Sequence, residues 1–227
     1  MGAPVRNDGR ESGTGEATRS PLAAVLPQGR LRAGTVASAG GDMPLLLALA
    51  AQTARGAAGW AAVGLPHMGV LAAQSAGLEL ARGMRIDDPG DRWAQVLAIA
   101  LEAVPVVLAG PLGPVNGQAA RRLGAVLRRS GSVLLAADQW DGAEVRLRVV
   151  TASWDGVGQG HGLLRGRRVT VAATGRGAAT APRYAEMWLP GPDGRVAPVR
   201  GLHGSGLDTS TADTSVRRQR AALHMVG

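Results

Sequence analysis

The chain has 227 residues, enough to bury one sizeable core, and the 3% of aromatic residues leaves that core to Ala, Leu and Val. The absence of cysteine excludes disulfides and cysteine-based zinc sites, and fits a reducing compartment. The formal charge is +8 with every basic side chain an arginine, which points to nucleic acid or an acidic partner, although the Ala-, Gly- and Arg-rich bias of a GC-rich coding sequence weakens that inference.

Residues 1–20 are polar and glycine-bearing, with mixed charge and no periodicity. That is the composition of a disordered segment, and it holds no apolar run of the kind a secretory leader carries. From 21 to 190 apolar runs alternate with turn signals, as in one folded domain. Residues 32–36 form a strand candidate and 38–41 (SAGG) a loop. Pro44 falls in the first turn of a helix that runs to about residue 54, a position where its missing N–H has no partner to lose. Gly56 and Gly59 stop that helix. Residues 60–63 form the next strand, 70–80 a small helix and 84–86 a strand. A DDPGD turn at 87–91 leads into a helix whose Trp93, Val96, Leu97, Ala100 and Leu101 recur on one face. Residues 104–108 (VPVVL) read as a buried strand. Residues 116–129 read as a helix with Ala119, Leu123, Val126 and Leu127 inward, and 133–137 (VLLAA) as another buried strand.

Beyond Gln139 the pattern changes. Residues 144–150 and 167–173 look like antiparallel strands around a glycine-rich loop, and 186–189 adds another. Residues 191–227 return to Gly, Pro, Ser and Thr and are expected to form a flexible tail, in which 216–225 (VRRQRAALHM) has the pattern of a short helix. The whole predicts an α/β fold: a mostly parallel central sheet with helices on both faces and an antiparallel C-terminal β extension. The apolar run at 44–51 is far short of the ~20 residues a membrane-spanning helix needs.

This layout resembles the RecA ATPase core. The local match starts at LPQGRL, residues 26–31, after which a strand and a phosphate loop are expected. In the pattern G-x-x-x-x-G-K-[ST], glycines let backbone N–H groups wrap the phosphates, the lysine neutralises them and the hydroxyl binds Mg²⁺. Here Gly41 takes the second glycine, Val36 the first, Asp42 the lysine position and Met43 the hydroxyl position. Asp42 places a negative charge against a polyphosphate; two unit charges about 4 Å apart repel by ~4 kcal/mol at an effective dielectric of about 20. As a helix N-cap, Asp42 is well placed. The strand at 104–108 has Gly110 where a Mg²⁺-holding acid would follow. The strand at 60–63 is followed by Gly64, Leu65, Pro66 and His67, with no carboxylate to activate water. No cofactor and no ATPase activity are expected.

Among such domains the chain is similar to the actinobacterial ImuA-prime family, of the RecA/SulA-like superfamily with a degenerate phosphate loop. LPQGRL (26–31), DPGDRW (88–93), WDGVGQGHG (154–162), RGRRVTV (165–171) and WLPGPDG (188–194) carry the resemblance. It implies a non-catalytic accessory or scaffold role in damage-induced, mutagenic translesion synthesis, part of the SOS response. The implied partner is ImuB-like, an inactive relative of the Y-family polymerases, with an error-prone replicative-type polymerase reached indirectly. The implied location is the cytoplasm, at the nucleoid during damage. Two other readings stand beside it: a SulA-like inhibitor of cell division and a protein that binds DNA directly.

Several side chains are candidates for partner or DNA contact. Arg121, Arg122, Arg128 and Arg129 form a basic stripe on the 116–129 helix, either a phosphate contact or a solvated outer face. His161, Arg165, Arg167 and Arg168 sit in and beyond the alternating glycines, either a contact loop or a mobile hairpin. Trp154, like Trp140, flanks the late β element as a core or interface anchor. Arg217, Arg218 and Arg220 lie in the tail. His161 and His203 lack the spacing of metal ligands, and no metal is expected. Ser38, Ser130 and Ser132 lack a nucleophile elbow.

Overall fold

The computed structural model describes residues 20–113, 117–158, 161–176 and 181–199. A short helix, α1 (Leu22–Val25), precedes β1 (Val36–Ser38). This strand starts later than the sequence predicts. Gly34 takes a φ of +76° and its N–H donates to the Ser132 carbonyl, so residues 32–35 form a turn instead. The α2 helix (Met43–Thr53) follows, capped by Asp42. Next come β2 (Trp60–Val63), α3 (Val70–Ala76), β3 (Gly83–Ile86), α4 (Trp93–Ala103), β4 (Val106–Ala109), α5 (Gly117–Ser130) and β5 (Val133–Ala136). The α3 helix is shorter than the predicted 70–80, because Gly77 ends it in a left-handed conformation at φ +109°. The chain then becomes β-rich: β6 (Val145–Gly158), β7 (His161–Gly175), β8 (Arg183–Trp188) and β9 (Ala197–Pro198).

These strands form one nine-stranded sheet in the order β3-β2-β4-β5-β1-β6-β7-β8-β9. Pairing is parallel from β3 through to β6 and antiparallel from β6 to β9. The predicted fold class is therefore observed. The strands β2, β4 and β5 are buried along their whole length, as interior parallel strands covered on both faces must be. Their side chains alternate between two cores. Trp60, Ala62, Val106, Leu108, Val133 and Leu135 face the core built with α1, α2 and α3. Ala61, Val63, Val107, Ala109 and Leu134 face the one built with α4 and α5.

The α2 helix is apolar nearly all round, with Leu45 to Ala51 buried, because it is covered on more than one side. By contrast α5 is amphipathic: Leu123, Val126 and Leu127 are buried and its arginines face out. Trp60, in the first core, donates its indole N–H to the Glu79 carbonyl at 2.9 Å.

Two regions depart from the sequence reading. The stretches 154–158 and 161–162, expected as part of a glycine-rich contact loop or mobile hairpin, continue the β6–β7 ladder: Trp154 pairs with Arg167 and Gly158 with His161. Gly156 lies at a register shift of this ribbon, and glycine within a strand commonly marks a bulge. Part of the expected tail is also ordered. Gly191 donates to the Arg195 carbonyl and Gly194 to the Gly191 carbonyl, and this turn returns Ala197 and Pro198 to pair with β8. Residues 1–19 and 200–227, which include the disorder expected at the N-terminus, lie outside the described residues. Among the described residues no helix is long and apolar enough to cross a membrane.

Candidate functional site

The carboxyl ends of the parallel strands are where an open α/β sheet normally holds its ligand. The loop from β1 to α2 lies there, and three of its backbone donors are already engaged. Ala39 N–H donates to the Ala136 carbonyl, Gly41 N–H to the Ala137 carbonyl at 2.8 Å, and Asp42 N–H to the Ala39 carbonyl. The Asp42 carboxylate is engaged within the protein through both oxygens. One oxygen accepts from the Leu45 N–H at 3.0 Å, the N-cap bond expected from the sequence. The other accepts from Arg167 Nη1 of β7 at 2.7 Å, and only 13% of the Asp42 side chain and 15% of the Arg167 side chain are exposed. The carboxylate therefore carries its own counter-ion.

The end of β4 is closed as well. A Cβ on Gly110 would lie 1.8 Å from the Gly64 carbonyl oxygen, so this backbone admits no side chain where a Mg²⁺-holding acid would stand. Gly64 has a φ of +69°, and its own Cβ would meet Leu112 at 2.4 Å. The two strand ends thus press together, glycine against glycine.

Between these loops remains a cleft of about 850 Å³. Met43, Leu65, Met68, Trp93 and Leu112 give it apolar walls, while Asp87, Asp88 and Asp138 stand at its polar rim beside His67. Among the described residues no arginine lines it. Asp87 is paired with Arg85 at 2.7 Å, and Asp88 accepts from the Gly90 N–H at 3.0 Å. Such a surface offers little to a polyanion. Among the described residues no group of His, Asp or Glu is clustered closely enough to hold a metal ion.

The other candidate residues fall into two sets. The structure pairs Trp154 with Arg167 and Ser153 with Arg168 across the β6–β7 ribbon. Trp154 is 52% exposed, so it is not a core anchor. Arg165 is exposed, whereas Arg167 is turned inward to Asp42, which differs from the outward contact expected of it. Arg168 bridges Glu186 of β8 at 2.6 Å. That hydrogen bond holds the Glu186 carboxyl below the ordinary glutamate range and raises the Arg168 guanidinium in return. His161 belongs to β7 by its backbone pairing. The second set, Arg121, Arg122, Arg128 and Arg129, lies exposed on α5, and Arg129 pairs with Glu102 of α4. Arg217, Arg218 and Arg220 lie outside the described residues. Ser132 is structural: it is 1% exposed and donates to the Leu101 carbonyl at 2.8 Å.

Residues 24–142 match the family described as the MT3502 N-terminal domain, just over half of the 227-residue chain. The chain belongs to that family. The matched segment of the MT3502 N-terminal domain holds the engaged loop, Gly64, Gly110 and the α5 arginines, and stops before β6. The chain is also similar to the uncharacterized protein Rv3395c of Mycobacterium tuberculosis, at 33% identity over 152 residues, covering 63% of this chain and 74% of that protein.

Sequence reasoning missed two features of the site. The Asp42–Arg167 bridge joins residues 125 apart, and only the sheet order brings them together. The exposed pair Leu163 and Leu164 had a visible signal, an apolar doublet in an otherwise Gly- and Arg-rich stretch (GHGLLRGRR).

Proposed function

We propose that this protein is a non-catalytic accessory or scaffold component of a damage-induced translesion-synthesis complex. In this reading it is an ImuA-prime-like, RecA-like domain that works through contacts with an ImuB-like partner in the cytoplasm. The observation that carries the reading is the Asp42–Arg167 bridge. An internal ion pair occupies the position from which a lysine would neutralise phosphate. Gly110, packed against the Gly64 carbonyl, supports it by leaving no room for a Mg²⁺-holding acid. The ImuA-prime resemblance supplies the pathway and the partner. The sheet edge at β3, where Met84 is 41% exposed, and the β6–β7 ribbon are the surfaces on which a partner can be received.

The test has two arms. Calorimetric titration with ATP and Mg²⁺ is expected to give no saturable heat, and co-expression with the ImuB-like partner is expected to give a stable complex. Saturable nucleotide binding, or no complex, overturns the reading. Direct DNA binding is favoured by one specific observation: Arg121, Arg122 and Arg128 are exposed on one helix and make none of the ion pairs seen among the described residues. That reading requires an affinity for duplex DNA that falls steeply with salt, and it fails if no binding occurs at low salt.

A further inference from the structure

We propose that the outer end of the β6–β7 ribbon is a docking surface for an acidic, apolar segment of a partner protein. The proposal deepens the accessory reading by assigning the surface and the chemistry of what it receives.

The ribbon outruns the sheet that supports it. β1 pairs with β6 only at Val145 and Arg146, and the last β7–β8 pair is Arg168 with Trp188. Arg167 still exchanges backbone hydrogen bonds with Leu189 and Pro190, and beyond it the two strands continue paired with each other to Gly158 and His161. An isolated two-stranded ribbon is marginal in water and gains stability by packing an apolar face against something. This one carries exposed apolar side chains to pack: Trp154 is 52% exposed, Leu163 81% and Leu164 59%. The other large exposed hydrophobic residues are dispersed over α3, β3, α4 and β8.

A bulge projects the leucines. The register passes from Asp155 opposite Gly166 to Val157 opposite Gly162, so residues 163–165 together face Gly156. Gly156 has a φ of +101°, and a Cβ there would lie 2.0 Å from the Leu163 carbonyl oxygen. Only glycine allows the strands to approach so closely at this point. The extra residues interrupt the regular alternation of the ladder at Leu163 and Leu164. At the ribbon's root Arg167 is fixed to Asp42, so the apolar end is held on a rigid base.

Charge selects the partner. Between residues 146 and 168 the sequence has five arginines against the single carboxylate of Asp155; Arg167 and Arg168 are held by Asp42 and Glu186, which leaves Arg146, Arg148 and Arg165. Arg165 is exposed and makes none of the ion pairs seen among the described residues, leaving it available to an incoming carboxylate. An apolar centre of Trp and Leu with an arginine rim has the composition of a protein interface. Single-stranded nucleic acid would call for several aromatic platforms, and this surface offers one, Trp154, beside two leucines that cannot stack on a base. A second copy of this chain would bring like charges together across a two-fold axis.

The test uses the full chain and a fluorescently labelled synthetic peptide with leucines on one helix face and glutamates on the other. Anisotropy titration is expected to show saturable binding that weakens about tenfold or more in the double variant Leu163→Ser/Leu164→Ser. Binding is expected to lose part of its salt dependence in Arg165→Gln. Leu71→Ser, at an exposed leucine of α3, is expected to bind as the parent does and controls for a general loss of apolar surface. No binding, or binding unchanged in the double variant, overturns the proposal. So does engagement through these leucines of oligothymidine, of phosphatidylserine vesicles or of a second copy in sedimentation. The outcomes separate from those of the accessory reading. If the ImuB-like partner binds the double variant as tightly as the parent, this surface falls and the accessory reading stands. If the peptide binds but no such complex forms, the reverse holds.

Discussion

Removing the Asp42 carboxylate tests the central feature of the site. Asp42→Ala deletes an N-cap bond, which costs about 1 kcal/mol. It also strands the Arg167 guanidinium, whose side chain is 15% exposed and whose partner sits at 2.7 Å. A charge-assisted hydrogen bond in so sheltered a place contributes about 2 kcal/mol net, well below the gross Coulomb attraction because both groups were desolvated to form it. The total is about 3 kcal/mol, or a fall in melting temperature of roughly 6–12 °C for a chain of this size. Asp42→Asn separates the two roles. Asparagine keeps one acceptor oxygen for the Leu45 N–H, but its amide NH2 then faces the Arg167 donor, so the cap stays while the charge and the hydrogen bond to Arg167 are lost, at about 2 kcal/mol. Urea denaturation of Asp42→Asn, Arg167→Met and the double variant gives the coupling directly, and it is expected at about 1–2 kcal/mol. If Asp42→Asn is silent and its effect simply adds to that of Arg167→Met, Asp42 is a cap and nothing more, and the reasoning built on the bridge fails.

Gly110→Asp is expected to destabilise the fold by at least about 3 kcal/mol without creating a Mg²⁺ site, because its Cβ meets the Gly64 carbonyl at 1.8 Å; calorimetric melting with and without Mg²⁺ checks both halves. Carbon-detected NMR titration of Glu186 should find its midpoint below that of an ordinary glutamate, with Arg168→Gln returning it to the usual range. Since the folded value is the depressed one, the pair's contribution to stability is present above the unfolded glutamate value and disappears as pH falls through the folded value. Leu97→Ala on α4, fully buried against the sheet, should cost about 2–5 kcal/mol in denaturant unfolding, whereas Arg121→Gln on α5 should stay within about 0.5 kcal/mol.

Legibility in the sequence followed the range of the interactions. The apolar runs at β2, β4 and β5 are local and buried on both faces, so they stood out within a residue or two of their observed bounds. The N-cap at Asp42 was likewise local, since a residue followed by Pro44 and a leucine run announces a helix start. β1 was misplaced because its boundary depends on Gly34 reaching the Ser132 carbonyl across the sheet. The sequence left the ribbon open between a contact loop and a mobile hairpin because glycine lowers strand propensity, and the bulge that needs it appears only when the two segments are in register. The pairing of Arg167, read from the sequence only as a candidate contact, was hidden for the same reason: nothing near it in the chain marks Asp42 as its partner.

That bridge has a consequence for how the molecule works. It ties the parallel core at Asp42 to the antiparallel extension at Arg167. In a phosphate-binding domain with this loop, the ligand itself supplies the charge at that junction, and what lies beyond it can respond to the ligand's arrival or loss. Here the carboxylate and the guanidinium are both part of the chain, so the junction is made on folding and stays made. A surface carried on β6 and β7 is then presented continuously, with no bound nucleotide required to set its orientation. The affinity of a partner for that ribbon should accordingly be the same with and without ATP and Mg²⁺, while Asp42→Asn should weaken it by loosening the root, even though Asp42 is remote in sequence from every residue of the ribbon.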